Sequence, residues 1–364
     1  MSRLKADERI SIRLRELYQR YGYLPYRVSR FEEYDLYMRN KSFLTSEHVL
    51  AFSDMDGKLM ALKPDITLSV VKNTKAGGGP VKVSYAETVY RVPRGELGFK
   101  EIMQAGLEMI GEVDVYAMGE VLMLAARSLA EISPRYALDI ADLRLPAGIL
   151  AQEALTDAQK AQLMALISDK NLHGLRALCA ELAIADKTAA QLETLVTEFG
   201  PLGETLPVFE AMNLPQACRD ALCDLRALLG MMELYGVGGI NLDFSVVNDM
   251  NYYNGLIFAG FIDGIPSGVL SGGRYDYLLS RMGKKGQAIG FAVYLDQIDR
   301  LLGEKAECDV DVLITYGADT PTDAVITAAR KQTAAGRSVR VQRAGKADIR
   351  YRERIDLGGE ENRV

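Results

Sequence analysis

The chain has 364 residues, 48% of them hydrophobic and 25% charged, the balance of a folded protein long enough for more than one domain. A formal net charge of −6 gives no overall field to draw in a polyanion, and only two histidines, His48 and His173, stand beside four scattered cysteines, so neither a metal nor a cofactor is expected. No basic-then-apolar leader and no apolar run near the roughly 18 residues of a membrane span is found, and a reducing cytoplasm is the expected setting.

The chain opens with Ile10, Leu14 and Leu17 at helical spacing, with Tyr18 and Tyr21 beside them, and Gly22 is placed to end that helix. "YLPYRV" then reads as a strand, and "VKVSYAETVYRV" alternates as a half-buried strand, with Val81, Val83 and Tyr85 on one side and Lys82 and Ser84 on the other. The "KAGGGP" before it leads into no helix, so it is read as a turn and not as a phosphate-cradling loop.

From about residue 151 to 235 the sequence becomes rich in alanine and leucine. Thr156 with Gln159 fits a capping box, ahead of an apolar stripe of Leu163, Leu166 and Ile167, and Leu222, Leu225, Leu229 and Met232 repeat the pattern. This stretch is read as a helical insertion within one domain over residues 1–304, because strand-like sequence resumes at "INLDFSVV". Residues 305–364 read as a small α/β appendage of one βαβ unit, with Pro321 early in its helix and Gly336 at the helix end.

Four stretches, in order, resemble the core of a class II aminoacyl-tRNA synthetase, and of histidyl-tRNA synthetase in particular. "YGYLPYRVSRFEEYDLY" resembles the dimer-forming motif 1 and "LKPDITLSVVK" the family's "LRPEGT" segment. "YRVPRGELGFKEIMQAGLEMIG" resembles motif 2, and "SGGRYDYLLSRMGKKGQAIGFAVYLDQI" motif 3. The resemblance implies an α+β fold built on an antiparallel sheet with flanking helices. It matches Asp65 and Thr67 to the holders of the histidine ammonium, with Gln104 near them, and Glu108 to the carboxylate that faces the imidazole. Tyr252 and Tyr253 match the tyrosines of the side-chain pocket, and Arg91 matches the motif 2 arginine on the α-phosphate, a residual nucleotide contact. Gln104 and Glu108 are four apart, and either a helix or a strand puts them on one face. Taken singly, Asp65, Gln104 and Glu108 read more readily as solvated surface residues, while the tyrosines also fit packing and Arg91 also fits a partner of Glu87.

The pattern breaks at two cations. Asn248 stands where the family has the arginine that bridges carboxylate and phosphate, and Gln297 where class II enzymes place an arginine over the nucleotide. Removing one preorganised donor to transition-state charge costs about 3 to 4 kcal/mol, so the resemblance is to a synthetase body without its chemistry. Ser29 replaces the usual motif 1 proline, and the tail is short for an anticodon-binding domain, so no tRNA is expected as partner.

One group of relatives has this description, the regulatory subunits of ATP phosphoribosyltransferase, whose version of the second motif "LKPDITLSVVK" resembles more closely. That resemblance implies a noncatalytic chain that assembles with the short-form catalytic subunit in histidine biosynthesis, takes L-histidine as effector and self-associates through motif 1. A divergent synthetase or another class II amino-acid-activating enzyme is the alternative.

Overall fold

The computed structural model describes residues 6–44, 48–74, 79–92, 98–247, 252–302 and 308–358. The chain forms two compact units divided between Leu301 and Leu302.

The larger unit opens with α1 (Ala6–Arg20), whose buried Ile10, Leu14, Leu17 and Tyr18 fall at helical spacing, and Gly22 at φ 80° turns the chain out of it. The strand expected over "YLPYRV" shrinks to β1 (Leu24–Pro25), which runs parallel to a longer strand. Pro25 brings no N–H to a ladder, and the contact continues only through the Tyr26 N–H, which donates to the Ser84 carbonyl at 2.7 Å. Next come β2 (Phe31–Glu33), α2 (Tyr34–Arg39), β3 (Ala51–Ser53) and β4 (Leu59–Leu62), the strands forming a small antiparallel sheet in the order β2-β4-β3.

After α3 (Thr67–Asn73), the long strands β5 (Val81–Arg91) and β6 (Lys100–Gly111) pair antiparallel along their whole length. The alternation read in β5 is imperfect, because adjacent Ser84 and Tyr85 are both buried. α4 (Val115–Ile132) starts at Asp114, whose carboxylate accepts from the Ala117 N–H at 2.8 Å, and it lays an almost wholly buried helix against the sheet. β7 (Tyr136–Asp142) and α5 (Arg144–Leu150) follow.

The alanine- and leucine-rich stretch forms α6 (Asp157–Ser168), α7 (Leu172–Glu181), α8 (Asp186–Thr197), α9 (Leu202–Glu210) and α10 (Gln216–Tyr235), with the two-residue β8 (Gly200–Pro201) between α8 and α9. Both halves of the Thr156 and Gln159 capping box are present. Leu222, Leu225 and Met232 are buried in α10 together with Leu228, whereas Leu229 is only half-buried, one position round from the core.

The remaining strands are β9 (Ile240–Leu242), β10 (Leu256–Ile262) and β11 (Leu270–Arg274), then α11 (Asp276–Arg281), β12 (Gln287–Tyr294) and α12 (Leu295–Leu302). One nine-stranded sheet results, in the order β1-β5-β6-β12-β11-β10-β7-β9-β8. Its middle, from β5 to β7, is antiparallel throughout, the arrangement the class II resemblance implies. β9 is parallel to β7, a contact that "INLDFSVV" does not announce because its strand ends at Leu242 and a 3₁₀ turn takes over.

The second unit holds β13 (Val310–Tyr316), α13 (Thr322–Ala334), β14 (Val339–Arg343) and β15 (Tyr351–Asp356) in an all-parallel sheet, β14-β13-β15. Pro321 caps α13 from outside and is not within it, and Gly336 at φ 75° follows its end. β15 extends the expected βαβ unit by one strand, since "YRERID" is charged and exposed and shows no apolar alternation. No helix of the described residues is long and apolar enough to cross a membrane.

Candidate functional site

The centre of the large sheet carries a cavity of about 340 Å³. Asp65, Thr67, Gln104, Glu108, Tyr252 and Tyr253 all line it, and so does Arg91. The question of helix or strand for Gln104 and Glu108 is settled as strand: both lie on β6, at positions of the same parity and therefore on one face. Across the ladder, Gln104 sits opposite Tyr294 and Glu108 opposite Gly290 of β12.

Glu108 is 2% exposed, so its carboxyl depends on protein partners. The Thr67 hydroxyl donates to its Oε1 at 2.7 Å and the Tyr275 hydroxyl to its Oε2 at 2.6 Å. Thr67 is the first residue of α3, and Asp65 just ahead accepts from the Leu68 N–H at 2.8 Å, so the start of one short helix presents both side chains. The other end of α3 is held by the Lys284 ammonium, which donates to the carbonyls of Val71, Lys72 and Thr74. Tyr252 and Tyr253 close a wall, their ring centroids 4.6 Å apart, and Tyr252 also meets Phe43 and Tyr275 at 5.9 Å.

The charges are unequal. Among the described residues, the charged side chains lining the cavity are Asp65, Glu108 and Arg91. Arg91 is 8% exposed and lies 5.8 Å from the Tyr294 ring centroid with no carboxylate bound to it among the described residues, while Glu87, its alternative partner, is taken by Lys63 at 2.7 Å. Burial pushes Glu108 up to about 8, the hydroxyls of Tyr275 and Thr67 oppose that, and the neighbouring Asp65 adds to it. Burial also raises Asp65, against the hydrogen bond from Leu68 and the charge of Arg91. At neutral pH Glu108 is therefore held largely protonated, and a cationic group placed against it would draw the proton off.

This fixes a stability trend. A carboxyl raised from 4.5 to about 8 on folding favours the folded state while it is protonated. Its contribution is complete below 4.5 and is lost as pH rises through about 8, and raised Asp65 acts in the same sense. Urea midpoints should fall across that window, and Glu108→Gln should flatten the fall; an unchanged slope in the variant would mean that Glu108 titrates normally.

Gln297 does not line the cavity; its side chain accepts a hydrogen bond from Ser267 at the start of α12. Asn248 lies outside the described residues. Ser29 uses its hydroxyl locally, donating to the Phe31 carbonyl at 2.7 Å. Tyr275, Tyr85 and Gly290 also line the cavity, although the sequence marks Tyr85 only as a strand residue and neither of the others as a site residue. Tyr275 is part of the quoted "SGGRYD", and its contact with Glu108 arises only when β11 and β12 are aligned. A Cβ on Gly290 would lie 1.8 Å from Glu108 Oε2, so the absence of a side chain there makes room for the carboxyl.

The family model for histidyl-tRNA synthetase matches residues 2–298. Among curated relatives, an ATP phosphoribosyltransferase regulatory subunit from Alkaliphilus metalliredigens is 30% identical over 297 residues, 80% of this chain and 75% of the relative. One from Acetivibrio thermocellus is 28% identical over 320 residues, 84% of this chain and 75% of the relative. Among solved structures, a Bacillus halodurans protein described as an ATP phosphoribosyltransferase regulatory subunit/histidyl-tRNA synthetase shares the fold with TM-score 0.82 at 24% identity, covering 98% of this chain and 95% of that one. A chain of the ATP phosphoribosyltransferase complex from Thermotoga maritima shares it with TM-score 0.63 at 20% identity, covering 81% of this chain and 98% of that one. The chain belongs to the histidyl-tRNA synthetase family, and within it to the ATP phosphoribosyltransferase regulatory subunits.

Proposed function

We propose that the chain is a noncatalytic regulatory subunit that assembles with a short-form ATP phosphoribosyltransferase, supports the first step of histidine biosynthesis in the cytoplasm, and takes L-histidine as effector in the central cavity. The observation that carries the reading is the convergence of Asp65, Thr67, Gln104, Glu108, Tyr252 and Tyr253 on one buried space in a member of this family. The carboxyls and Thr67 suit an ammonium, the tyrosine wall and Glu108 suit an imidazole, and Arg91 suits a carboxylate.

Adenylation needs cations on a triphosphate. Arg91 is the one cation lining the cavity among the described residues, Gln297 is neutral and engaged by Ser267, and the sequence has Asn248 at the bridging position. Binding without reaction suffices for regulation if histidine prefers one state of the assembly, and a coupling of about 1 to 3 kcal/mol is the usual scale. Self-association through the motif 1 region completes the proposed hetero-oligomer.

The test is the initial rate of phosphoribosyl-ATP formation by the short-form catalytic subunit from the same genome, with and without this chain and with added histidine. A rise on mixing that histidine reverses supports the reading. No rise and no co-elution, with histidine-dependent pyrophosphate exchange by this chain alone, would replace it with an amino-acid-activating enzyme.

A further inference from the structure

Two hydroxyls are buried without a partner between α2 and α3. Tyr37 of α2 and Ser69 of α3 are both 0% exposed, and neither side-chain oxygen makes a hydrogen bond among the described residues. Buried hydroxyls are normally satisfied, and a serine within a helix commonly turns back onto the carbonyl four residues earlier, which Ser69 does not. The two are neighbours: burial holds the Tyr37 hydroxyl well above its usual range, Ser69 beside it opposes that, and the carboxylates of Asp65 and Glu32 add to it. Tyr37 thus stands between a cavity carboxylate and one of β2, beside an acceptor with which it makes no bond.

α3 is built to carry a displacement between those two carboxylates. Asp65 and Thr67 at its start line the cavity, and the Lys284 ammonium gathers the Val71, Lys72 and Thr74 carbonyls at its far end, so its seven residues move as one body. On its flank, Lys72 pairs with Glu32 of β2 at 2.6 Å, and Glu32 is 9% exposed. Leu68 and Val71 of α3 share one core cluster with Tyr37 and with Tyr252 and Tyr275 of the cavity wall. Close-packed layers of this kind answer a small push by sliding between discrete arrangements.

On the reading that L-histidine fills the cavity, we propose that α3 carries its occupancy to the motif 1 segment: the ligand ammonium, drawn against Asp65 and Thr67, selects a position of α3 in which Tyr37 donates to Ser69. The Lys72 and Glu32 pair transmits the same displacement to β2. Glu32 and Tyr37 both belong to the stretch proposed for self-association, so that face registers what the cavity holds. Coupling of this kind is reciprocal: a change at the contact of α2 with α3 alters histidine affinity although it touches no ligand.

The experiment is calorimetric titration of the full chain with L-histidine, for wild type, Tyr37→Phe, Ser69→Ala and the double variant, with urea midpoints for each. Amide hydrogen exchange over β2 and α2 is followed with and without histidine. Each single variant should lose roughly threefold to tenfold in affinity although neither residue lines the cavity. The double variant should lose no more than the singles, since one bond is removed in every case. Urea midpoints without histidine should stay near or above wild type, because the hydroxyls removed have no partner. Histidine should slow exchange in β2 and α2 of wild type, and do so less in Tyr37→Phe. Equal affinities in all four proteins, or losses that add in the double variant, overturn the proposal and leave histidine as the effector. Exchange in wild-type β2 and α2 that ignores bound histidine does the same. Lower midpoints with unchanged affinity assign the two hydroxyls to packing alone. Failure of wild type to bind histidine overturns the effector and this proposal together.

Discussion

Glu108→Ala should weaken L-histidine binding by roughly tenfold to a hundredfold, and with it histidine inhibition of the assembled transferase, while co-elution with the catalytic subunit persists. A hydrogen bond to a charged group contributes about 1.5 to 3 kcal/mol, and the substitution also strands the hydroxyls of Thr67 and Tyr275, which now donate to Glu108. The residue is 2% exposed inside the cavity, so no outer surface changes with it. Glu108→Gln separates charge from shape: the amide keeps an acceptor for one hydroxyl but cannot ionise against an imidazolium. Because burial raises Glu108 to about 8, cation binding beside it at neutral pH should also release a proton, seen as a binding enthalpy that varies with buffer ionisation. Inhibition unchanged in both variants would move the histidine site elsewhere in the assembly.

What the sequence made legible follows from where the information sits. α1 and the Thr156 cap are written in local spacing, and both are seen as read. The pocket residues come from stretches as far apart as Asp65 and Tyr253, so no local pattern assembles them, and only the family order of four motif-like stretches together with the tyrosine pair does. Tyr275 and Gly290 escaped because their roles are set by cross-strand register, which a single strand does not encode. β15 escaped for a related reason: a charged, exposed edge strand has no apolar face to reveal it, and its pairing with β13 is a tertiary contact.

Gly290→Ala tests whether the sheet itself shapes the site. The added methyl would stand 1.8 Å from Glu108 Oε2 and 2.5 Å from the Leu107 carbonyl. The first clash is with a side chain that can turn away, at the loss of its bonds to Thr67 and Tyr275. The second is with the backbone of β6, paired to β12 at this point, and can be relieved only by moving the strands apart. Overpacking of this kind costs about 1 to 3 kcal/mol, and loss of the placed carboxyl should reduce histidine affinity at least as far as Glu108→Ala does. The double variant Gly290→Ala/Glu108→Ala divides the two effects. Removing Glu108 relieves the side-chain clash but not the backbone one, so its urea midpoint should lie above the sum of the single losses yet below Glu108→Ala alone. Strict additivity would show that Gly290 acts only on the strand pair, and that Glu108 takes its position from Thr67 and Tyr275 without the space across the ladder.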